Sequence, residues 1–418
     1  MYIMEHQIKG IQWMVERELH GVHPGGFLCD EMGLGKTVQV IGTMMRNKLR
    51  RTLIIVPVSL VNQWIEHIKE WSDITVSLLG TQDTTDVKIA TYSHCLQSSK
   101  EYGKLFEYAW DRVVLDEAHE VRNPKSKKFQ AIMNIESRIR WIVTGTLIVN
   151  GEKDYLTLLK FLTHGDEFEE QRRDVILKRR KRMIKLPEIT FENIRLEPYD
   201  EEKTVYEKVY KECDGTPKKI MYSIMKLRQI GIHPLIYDKE YTGRSKRIDT
   251  LIEMIQSHPE EKTLVFCQFR KEMKYIKSLL TCETFELSGS TPMHTRPCIV
   301  QQFNESKPGS VFIIQVKSGG VGLNLQMATR VYLTSPAWNP ATELQAISRS
   351  HRIGQDKSVH VYKLFYSGLE EAIMQLQENK SRITACIFDD PSVMEDLPMP
   401  KDLEKNLILI SKFFVCRE

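Results

Sequence analysis

The stretch Phe27-Leu28-Cys29-Asp30-Glu31-Met32-Gly33-Leu34-Gly35-Lys36-Thr37 decides the fold that we predict for this chain. A short apolar run leads into glycines and a Lys-Thr pair, and the next residues have the apolar spacing with which a helix begins. A strand, a Gly-rich turn and a helix N-terminus together cradle phosphate, because backbone N–H groups and the positive end of the helix dipole face the anion. We expect Lys36 to reach the β- and γ-phosphates of a nucleotide and the Thr37 hydroxyl to bind Mg²⁺. A plain Gly-rich turn is the alternative for this motif alone, since Asp30 stands where the strict pattern has Gly.

A second motif, Asp116-Glu117-Ala118-His119, follows the apolar run 110–115, which has the composition of a buried parallel strand. Ligands of open α/β sheets bind beyond the C-terminal strand ends, so we expect both carboxylates near the phosphates. Asp116 can hold Mg²⁺ through water, and Glu117 can polarise the attacking water. The alternative is an exposed acidic loop or a helix cap. Together with the Lys-Thr loop, the motif predicts a protein that binds and hydrolyses a nucleoside triphosphate.

Length and composition limit the class of protein. A chain of 418 residues is long enough for about three domains, and 41% hydrophobic with 27% charged residues is ordinary for a soluble globular protein. No apolar run approaches the ~20 residues of a membrane span, and the first residues lack the pattern of a signal peptide. The cysteines form no Cys-x-x-Cys pair, which argues against zinc modules and disulfides and for a reducing compartment. They stand at positions 29, 95, 213, 267, 282, 298, 386 and 416.

The positive charges are clustered, although the net charge of the chain is only +4. The densest cluster lies between residues 172 and 185, and smaller groups lie at 46–51 and 122–128. Such clusters can neutralise the phosphates of nucleic acid, and the run 179–182 can also act as a nuclear import signal. A solvated surface is the commoner explanation for any single cluster.

Short apolar runs alternate with helical patterns in two parts of the chain, which predicts two doubly wound parallel sheets. The strand candidates lie at 53–57, 88–92, 110–115 and 140–143, and then at 263–267, 311–314, 330–333 and 359–364. Between the two parts we expect a basic connector and a helical insertion rather than sheet. The predicted division is a first lobe at 1–164, the connector and insertion at 165–245, a second lobe at 246–366, and a C-terminal helical brace and tail at 367–418.

The second half has its own candidate phosphate-binding groups. Residues 317–325 form a Gly-rich turn, and residues 345–355 place Arg349 and Arg352 three apart, on one predicted helical face. Arginine suits the charge of a phosphoryl-transfer transition state, because its planar guanidinium group donates paired hydrogen bonds to phosphoryl oxygens. If the lobes close over ATP, both residues become arginine fingers worth ~10³–10⁵ in rate. Surface arginines in ion pairs are the alternative.

The order of these motifs resembles that of the Swi/Snf-type ATPases in superfamily 2 of helicase-like proteins, from about residue 4 to residue 380. The resemblance is closest to the branch that contains helicase-like transcription factor and the RNA polymerase II termination factor. Asp-Glu-Met-Gly-Leu-Gly-Lys-Thr and His-Arg-Ile-Gly-Gln are its most specific motifs, and the first one accounts for Asp30. It is carried by residues 30–37, 116–119, Thr144-Gly145-Thr146, 319–325, Trp338-Asn339-Pro340 and 345–355.

The resemblance implies two RecA-like lobes with ATP in the cleft and double-stranded DNA across both lobes. Proteins of this kind typically move along DNA without separating its strands. Arg349 and Arg352 would be the arginine fingers, and Thr37, Asp116 and Glu117 would serve the metal, with Glu117 also acting on the water. The nucleotide would be bound by Gln7, which contacts adenine, and by Asp30, Glu31, Met32, Gly33, Leu34, Gly35, Lys36, Thr37, Asp116 and Gly322. DNA would lie near Pro57, Thr91, Ser318 and Trp338.

Three departures from the family pattern are visible in the sequence. Leu147 stands where the family usually has Pro, and Gln315 where it usually has Ser or Thr. Relatives in this branch carry a zinc-binding RING module between the lobes, and the cysteine positions exclude one here, so we expect no ubiquitin-ligase activity. The chain starts almost at Gln7, which suggests either an excised core or a minimal protein such as a large DNA virus encodes.

Three functions are therefore compared. The first is a monomeric ATPase of the nucleus, or of a viral compartment, that moves along duplex DNA and displaces bound proteins such as nucleosomes or RNA polymerase. The second is a strand-separating helicase on DNA or RNA, for which we find no obvious strand-splitting hairpin. The third is a DNA-binding scaffold with weak ATPase activity, which would require the loss of Lys36, Glu117 or an arginine finger, and all of these are present.

Overall fold

The computed structural model of the protein divides into two compact units, Met1–Lys185 and Leu186–Glu418. It describes residues 3–81, 84–96, 105–106, 108–145, 152–165, 172–212, 217–319 and 323–389. Within those ranges, no helix combines the length and the apolar character that a membrane span requires.

The first unit is built on a parallel sheet with the strand order β3-β4-β2-β5-β6-β1-β7 among its described residues. Its strands are β1 (Gly25–Leu28), β2 (Thr52–Val56), β3 (Val76–Leu78), β4 (Val87–Thr91), β5 (Trp110–Asp116), β6 (Ser137–Val143) and β7 (Ile176–Leu177). Its helices are α1 (Glu5–His20), α2 (Lys36–Arg46), α3 (Val61–Trp71), α4 (Lys127–Met133), α5 (Glu152–Leu162) and α6 (Arg172–Val175).

The second unit contains a parallel sheet with the strand order β10-β11-β9-β12-β13-β8 in the described part of the chain. Its strands are β8 (Ile189–Leu196), β9 (Thr263–Cys267), β10 (Thr284–Leu287), β11 (Val311–Gln315), β12 (Arg330–Leu333) and β13 (Val359–Tyr366). Its helices are α7 (Asp200–Lys211), α8 (Pro217–Ile232), α9 (Pro234–Tyr237), α10 (Lys246–Gln256), α11 (Arg270–Leu279), α12 (Arg296–Glu305), α13 (Val316–Gly319), α14 (Pro340–Ile347) and α15 (Leu369–Asp389).

Strands inside the sheets, such as β2 and β9, are buried on both faces, which explains their continuous apolar sequences. In β9, Leu264 and Phe266 belong to one apolar cluster, whereas Val265 and Cys267 belong to another. Successive side chains of a strand point to opposite faces, so the two clusters lie on the two sides of the sheet. The predicted fold class, α/β with two parallel-sheet lobes, is therefore confirmed.

The segment 165–245 contributes a strand to each sheet, so the expectation of a connector without sheet is wrong. Strand β7 pairs with β1, and β8 pairs with β13 over eight residues. Strand β8 ends its sheet, and residues 190–193 are exposed, so it lacks the apolar run of a central strand. The boundary between the two units at Lys185 also lies in this segment. The fourfold division of the chain stays a prediction.

A buried ion pair joins helix α1 to strand β5 in the first unit. Arg112 on β5 donates to Glu18 on α1 from Nε at 2.6 Å and from Nη2 at 2.5 Å. The same carboxylate accepts Trp141 Nε1 at 2.8 Å and Asn47 Nδ2 at 2.7 Å. The side chains of Arg112 and Glu18 are 1% and 0% exposed. Because both carboxylate oxygens are hydrogen-bonded, the buried charge of Glu18 is compensated within the unit.

Candidate nucleotide-binding site

The loop that we predict to bind phosphate follows β1 and ends where α2 begins at Lys36, as the sequence predicts. Gly33 and Gly35 have φ angles of 92° and 79°, a region that residues with a side chain rarely adopt. A Cβ on Gly35 would also lie 2.3 Å from Gln7 Nε2. Glycine at this position therefore allows both the left-handed turn and the close approach of α1.

Helix α1 brings Gln7 to the loop across 27 positions of the sequence. Gln7 Nε2 donates to the Leu34 carbonyl at 3.3 Å, and Gln7 Oε1 accepts the Met4 amide at 3.0 Å. The His6 ring bonds to the same Leu34 carbonyl at 3.0 Å through Nε2. Gln7 is thus held beside the loop, and its contact with adenine stays a prediction.

Lys36 lies over the loop, and the end of β6 packs against it. Lys36 Nζ donates to the Asp30 carbonyl at 2.9 Å, and Thr144 N donates to the Leu28 carbonyl at 3.1 Å. A Cβ on Gly145 would lie 2.8 Å from Met32 Cγ and 3.3 Å from Lys36 Nζ. Thr144-Gly145 therefore contacts the phosphate loop directly, whereas Thr146 and Leu147 lie outside the described residues.

Asp116 is the last residue of β5, and its carboxylate is held in one orientation. Oδ2 accepts Trp64 Nε1 at 2.8 Å, Oδ1 accepts the Glu117 amide at 3.0 Å, and Tyr92 donates its hydroxyl to the Asp116 carbonyl at 2.7 Å. Burial raises the pKa of Asp116 to about 7 and the Glu117 charge adds to this, while Trp64 and Lys36 act in the opposite direction. A cation beside Asp116 would favour its ionised form.

The sequence did not single out Trp64 or Tyr92 as parts of this site. Trp64 belongs to the buried face of α3, where it is 1% exposed, and Tyr92 follows β4 and is 2% exposed. A buried Trp or Tyr needs a hydrogen-bond partner for its polar atom. This requirement is the signal by which both residues could have been predicted from the sequence.

Glu117 has a left-handed backbone conformation, with φ 50° and ψ 48°. Among the described residues, the other non-glycine residue with positive φ is His164. Such strain in a residue with a side chain is concentrated at functional sites. Glu117 Oε2 lies 3.2 Å from His119 Nδ1, and although burial lowers the pKa of His119, the carboxylates of Glu117 and Glu120 outweigh it and raise that pKa.

Arg349 and Arg352 lie in the turns after α14, so the prediction of a shared helical face is wrong. Helix α14 ends at Ile347, and the carbonyl of Arg349 accepts the Leu325 amide at 3.0 Å. The side chain of Gln355 ties the turns after α14 to the neighbouring turn at Gln326, because its Nε2 donates to the Gln326 carbonyl at 2.7 Å. Burial lowers the pKa of Arg352. Residues 320–322 lie outside the described ranges, so the contact of Gly322 with the nucleotide stays a prediction.

The predicted DNA contacts of the first unit lie at one edge of its sheet. Pro57 follows β2, Thr91 ends β4, and the two strands pair in parallel. Thr91 is 5% exposed, and its hydroxyl accepts the His94 amide at 3.3 Å. The DNA-binding role of both residues stays a prediction.

In the second unit, Ser318 lies on α13, after β11, and is 7% exposed. Gln315, which replaces the usual Ser or Thr, accepts the Gly289 amide at 3.1 Å through Oε1. The guanidinium of Arg228 lies over the Trp338 ring, with its Cζ atom 5.2 Å from the ring centroid. Contacts of Ser318 and Trp338 with DNA stay predictions.

Two family models match the chain. A model of the SNF2-related domain matches residues 6–173, and a model of the helicase conserved C-terminal domain matches residues 246–354. The two matched segments contain the motifs described above, except for Gln355, the last residue of the motif 345–355.

Similar curated proteins come from a virus and from eukaryotes. The probable global transactivator of Orgyia pseudotsugata multicapsid polyhedrosis virus is 27% identical over 93% of this chain and 91% of its own length. The SWI/SNF-related matrix-associated actin-dependent regulator of chromatin subfamily A member 1 of Mus musculus is 26% identical, over 100% of this chain and 47% of its own. The ISWI chromatin-remodeling complex ATPase ISW2 of Saccharomyces cerevisiae is 28% identical, over 92% and 41%. The chain thus spans less than half the length of these two chromatin proteins.

Among solved structures, the Sulfolobus solfataricus SWI2/SNF2 ATPase core in complex with dsDNA aligns with 98% of this chain and 97% of its own, at 26% identity and a TM-score of 0.43.

Proposed function

Because this chain belongs to the SNF2 family of helicase-like, ATP-dependent enzymes, we propose that it moves along double-stranded DNA and remodels or displaces proteins bound there. The observation that carries the proposal is the meeting of three groups at one edge of the first sheet. The loop with Lys36 follows β1, Asp116 ends β5, and Thr144-Gly145 follows the strand between them. In a parallel sheet these strand ends form the ligand-binding edge.

The residues at this edge suit a nucleotide with Mg²⁺. The Thr37 hydroxyl and the Asp116 carboxylate offer oxygen atoms, the ligands that Mg²⁺ prefers. No group of three or more His, Cys, Asp or Glu side chains that could hold a metal occurs in the described part of the chain. Two protein oxygens are nevertheless sufficient for Mg²⁺, which binds through substrate phosphates and retained water. The ion would neutralise charge on the β- and γ-phosphates.

The side chains then have distinct tasks in hydrolysis. Lys36 exchanges the Asp30 carbonyl for phosphate oxygens, and Glu117 orients the attacking water and accepts its proton. Asp116 is kept in place by Trp64 and by the Glu117 amide. Arg349 and Arg352 would stabilise the transition state as arginine fingers.

Duplex DNA is the proposed track because of the motif resemblance and the exposed basic side chains, among them Arg182 and Lys185. Backbone phosphates are bound by such cations without regard to base sequence. Relatives described as chromatin remodelers and as a viral global transactivator suggest a nucleosome or an RNA polymerase as the displaced partner. They also suggest the nucleus, or a viral transcription compartment, as the location.

A nucleic-acid titration of the ATPase rate tests the proposal. The steady-state rate is measured at one low salt concentration without nucleic acid and with duplex DNA, single-stranded DNA or RNA, and Lys36→Ala serves as the inactive control. We expect strong stimulation by duplex DNA and release of a protein bound to a linear duplex, without separation of the strands.

Other results would overturn the proposal in specific ways. Preference for single strands or RNA, together with strand separation, would establish a helicase instead. If no nucleic acid accelerates hydrolysis, the translocase function is ruled out. If the chain does not hydrolyse ATP at all, the remaining function is that of a DNA-binding scaffold.

A further inference from the structure

The segment that leads out of the first unit runs along the phosphate loop. Cys29 N donates to the Leu177 carbonyl at 2.7 Å, and Glu31 N donates to the Arg179 carbonyl at 3.0 Å. Lys181 N donates to Glu31 Oε2 at 2.7 Å. Residues 177–181 thus continue the pairing of β7 with β1 into the loop itself, so part of the basic cluster is a structural neighbour of the nucleotide site.

Arg179 is the residue of this segment that turns into the protein. Its Nε donates to Asp30 Oδ1 at 2.9 Å, its Nη2 bonds to Asp30 Oδ2, and its Nη1 bonds to the His6 carbonyl. Nη2 also donates to Gln39 Oε1 at 2.6 Å, and Gln39 Nε2 donates to Asp30 Oδ2 at 3.0 Å. The Arg179 side chain is 11% exposed, and that of Asp30 is 0% exposed. One guanidinium therefore joins the loop, α2 and α1.

Helix α1 leaves room for this group at Gly10. A Cβ on Gly10 would lie 1.9 Å from Gln39 Oε1 and 2.8 Å from Arg179 Nη2. Gly10 lies within α1, where glycine is less favourable than alanine by about 1 kcal/mol. The space above Gly10 is thus occupied by the two polar side chains that contact Asp30.

The buried charge of Asp30 gives Arg179 a function beyond packing. Lys36, which must bind phosphate, already bonds to the backbone carbonyl of Asp30. Without Arg179, the Asp30 carboxylate would be a buried charge with Gln39 as its hydrogen-bond donor. Such a carboxylate would attract the Lys36 ammonium away from the phosphates and would also repel the phosphates. The lysine–phosphate attraction that is lost and the carboxylate–phosphate repulsion that is gained both increase with the number of phosphates.

We propose that Arg179 is a positioning residue of the ATPase site, which neutralises Asp30 so that Lys36 is available to the nucleotide phosphates. The proposal rests on the proposed nucleotide site but needs neither DNA nor movement along it. It assigns to the first arginine of the run 179–182 an internal role, in place of a surface or import role.

Equilibrium binding of fluorescent ATP, ADP and AMP analogues tests the proposal on the full chain without DNA. Arg179→Met should weaken ATP binding about 10- to 100-fold and should weaken ADP and AMP binding progressively less. Arg138→Met removes the same charge from an exposed side chain of β6 in the same unit and should leave all three affinities unchanged. Adding Asp30→Asn to Arg179→Met should restore most of the ATP affinity, because the unpaired charge is then gone.

Two further variants keep the test decisive if Arg179→Met fails to fold. Arg179→Lys retains the charge and should give intermediate ATP affinity, and Gly10→Ala should reproduce the ATP-selective loss by displacing Gln39 and Arg179. An equal loss for all three nucleotides, or no rescue by Asp30→Asn, would overturn the proposal.

If the wild-type chain binds no nucleotide, the proposed nucleotide site itself fails. If it binds ATP but is not stimulated by DNA, the translocase alone fails.

Discussion

We expect the replacement of Glu117 with Gln to separate the binding of ATP from its hydrolysis. The amide has the shape of the carboxylate and can still hydrogen-bond the attacking water, but it cannot accept the proton. Glu117 follows Asp116 directly, has a left-handed backbone conformation and donates its amide to the Asp116 carboxylate. The backbone therefore fixes the direction in which the Glu117 side chain leaves the chain. Because a general base contributes ~10²–10⁴ in rate, the loss corresponds to about 3–5.5 kcal/mol in the barrier.

The assay combines single-turnover hydrolysis with equilibrium binding of ATP, both in the presence of duplex DNA. We expect the hydrolysis rate of Glu117→Gln to fall by at least about 100-fold, while the ATP affinity changes by less than about threefold. Glu120→Gln is the matched control. Glu120 is an exposed carboxylate three residues away whose Oε2 pairs with Lys128 Nζ at 3.0 Å. Its removal should leave the rate within about twofold of wild type.

Two results would refute this role of Glu117. Hydrolysis at the wild-type rate would show that another group accepts the proton. A loss of ATP affinity as large as the loss of rate would show that Glu117 contributes to ground-state binding rather than to the transition state.

Three further predictions follow from charged residues in the structure. Arg349→Ala should reduce turnover much more than ATP affinity, measured by the same two assays, and an affinity loss at unchanged turnover would contradict its role. Glu18→Gln should lower the free energy of unfolding in urea by about 3–5 kcal/mol, because Arg112 stays buried without its charged partner, while the exposed control Asp73→Asn should leave it nearly unchanged; equal effects would be inconsistent with this account. Burial lowers the pKa of His233 to about 4, so the contribution of His233 to stability should be lost as the pH falls from about 6.5 to 4, and the difference in unfolding free energy between wild type and His233→Asn in urea titrations should change over this pH range.

The interior strands of both sheets and the loop after β1 could be predicted because their signals are local, whereas the four strands that end the sheets, β3, β7, β8 and β10, were not predicted. A continuous apolar run followed by Gly-x-Gly-Lys-Thr leaves few alternatives, and β1, the loop and α2 occupy the expected positions. Strand β8 was missed because it is half-exposed and lacks such a run. The helical position of Arg349 and Arg352 was predicted wrongly, because Gln355 binds carbonyls of a neighbouring turn and this contact is not visible in the spacing.

The sequence by itself therefore determined the fold class, the ATP-binding motif and the family, because these depend on residue types at short, fixed spacings. Only the tertiary structure decided which distant side chains complete the site. Trp64 reaches Asp116 across 52 positions, and Arg179 reaches Asp30 across 149. Both contacts arise because parallel strands bring their C-terminal ends to one edge, where a buried carboxylate must find a donor wherever it lies in the chain. The same surroundings decide whether an arginine of a basic run faces solvent, as Arg182 does, or is enclosed, as Arg179 is.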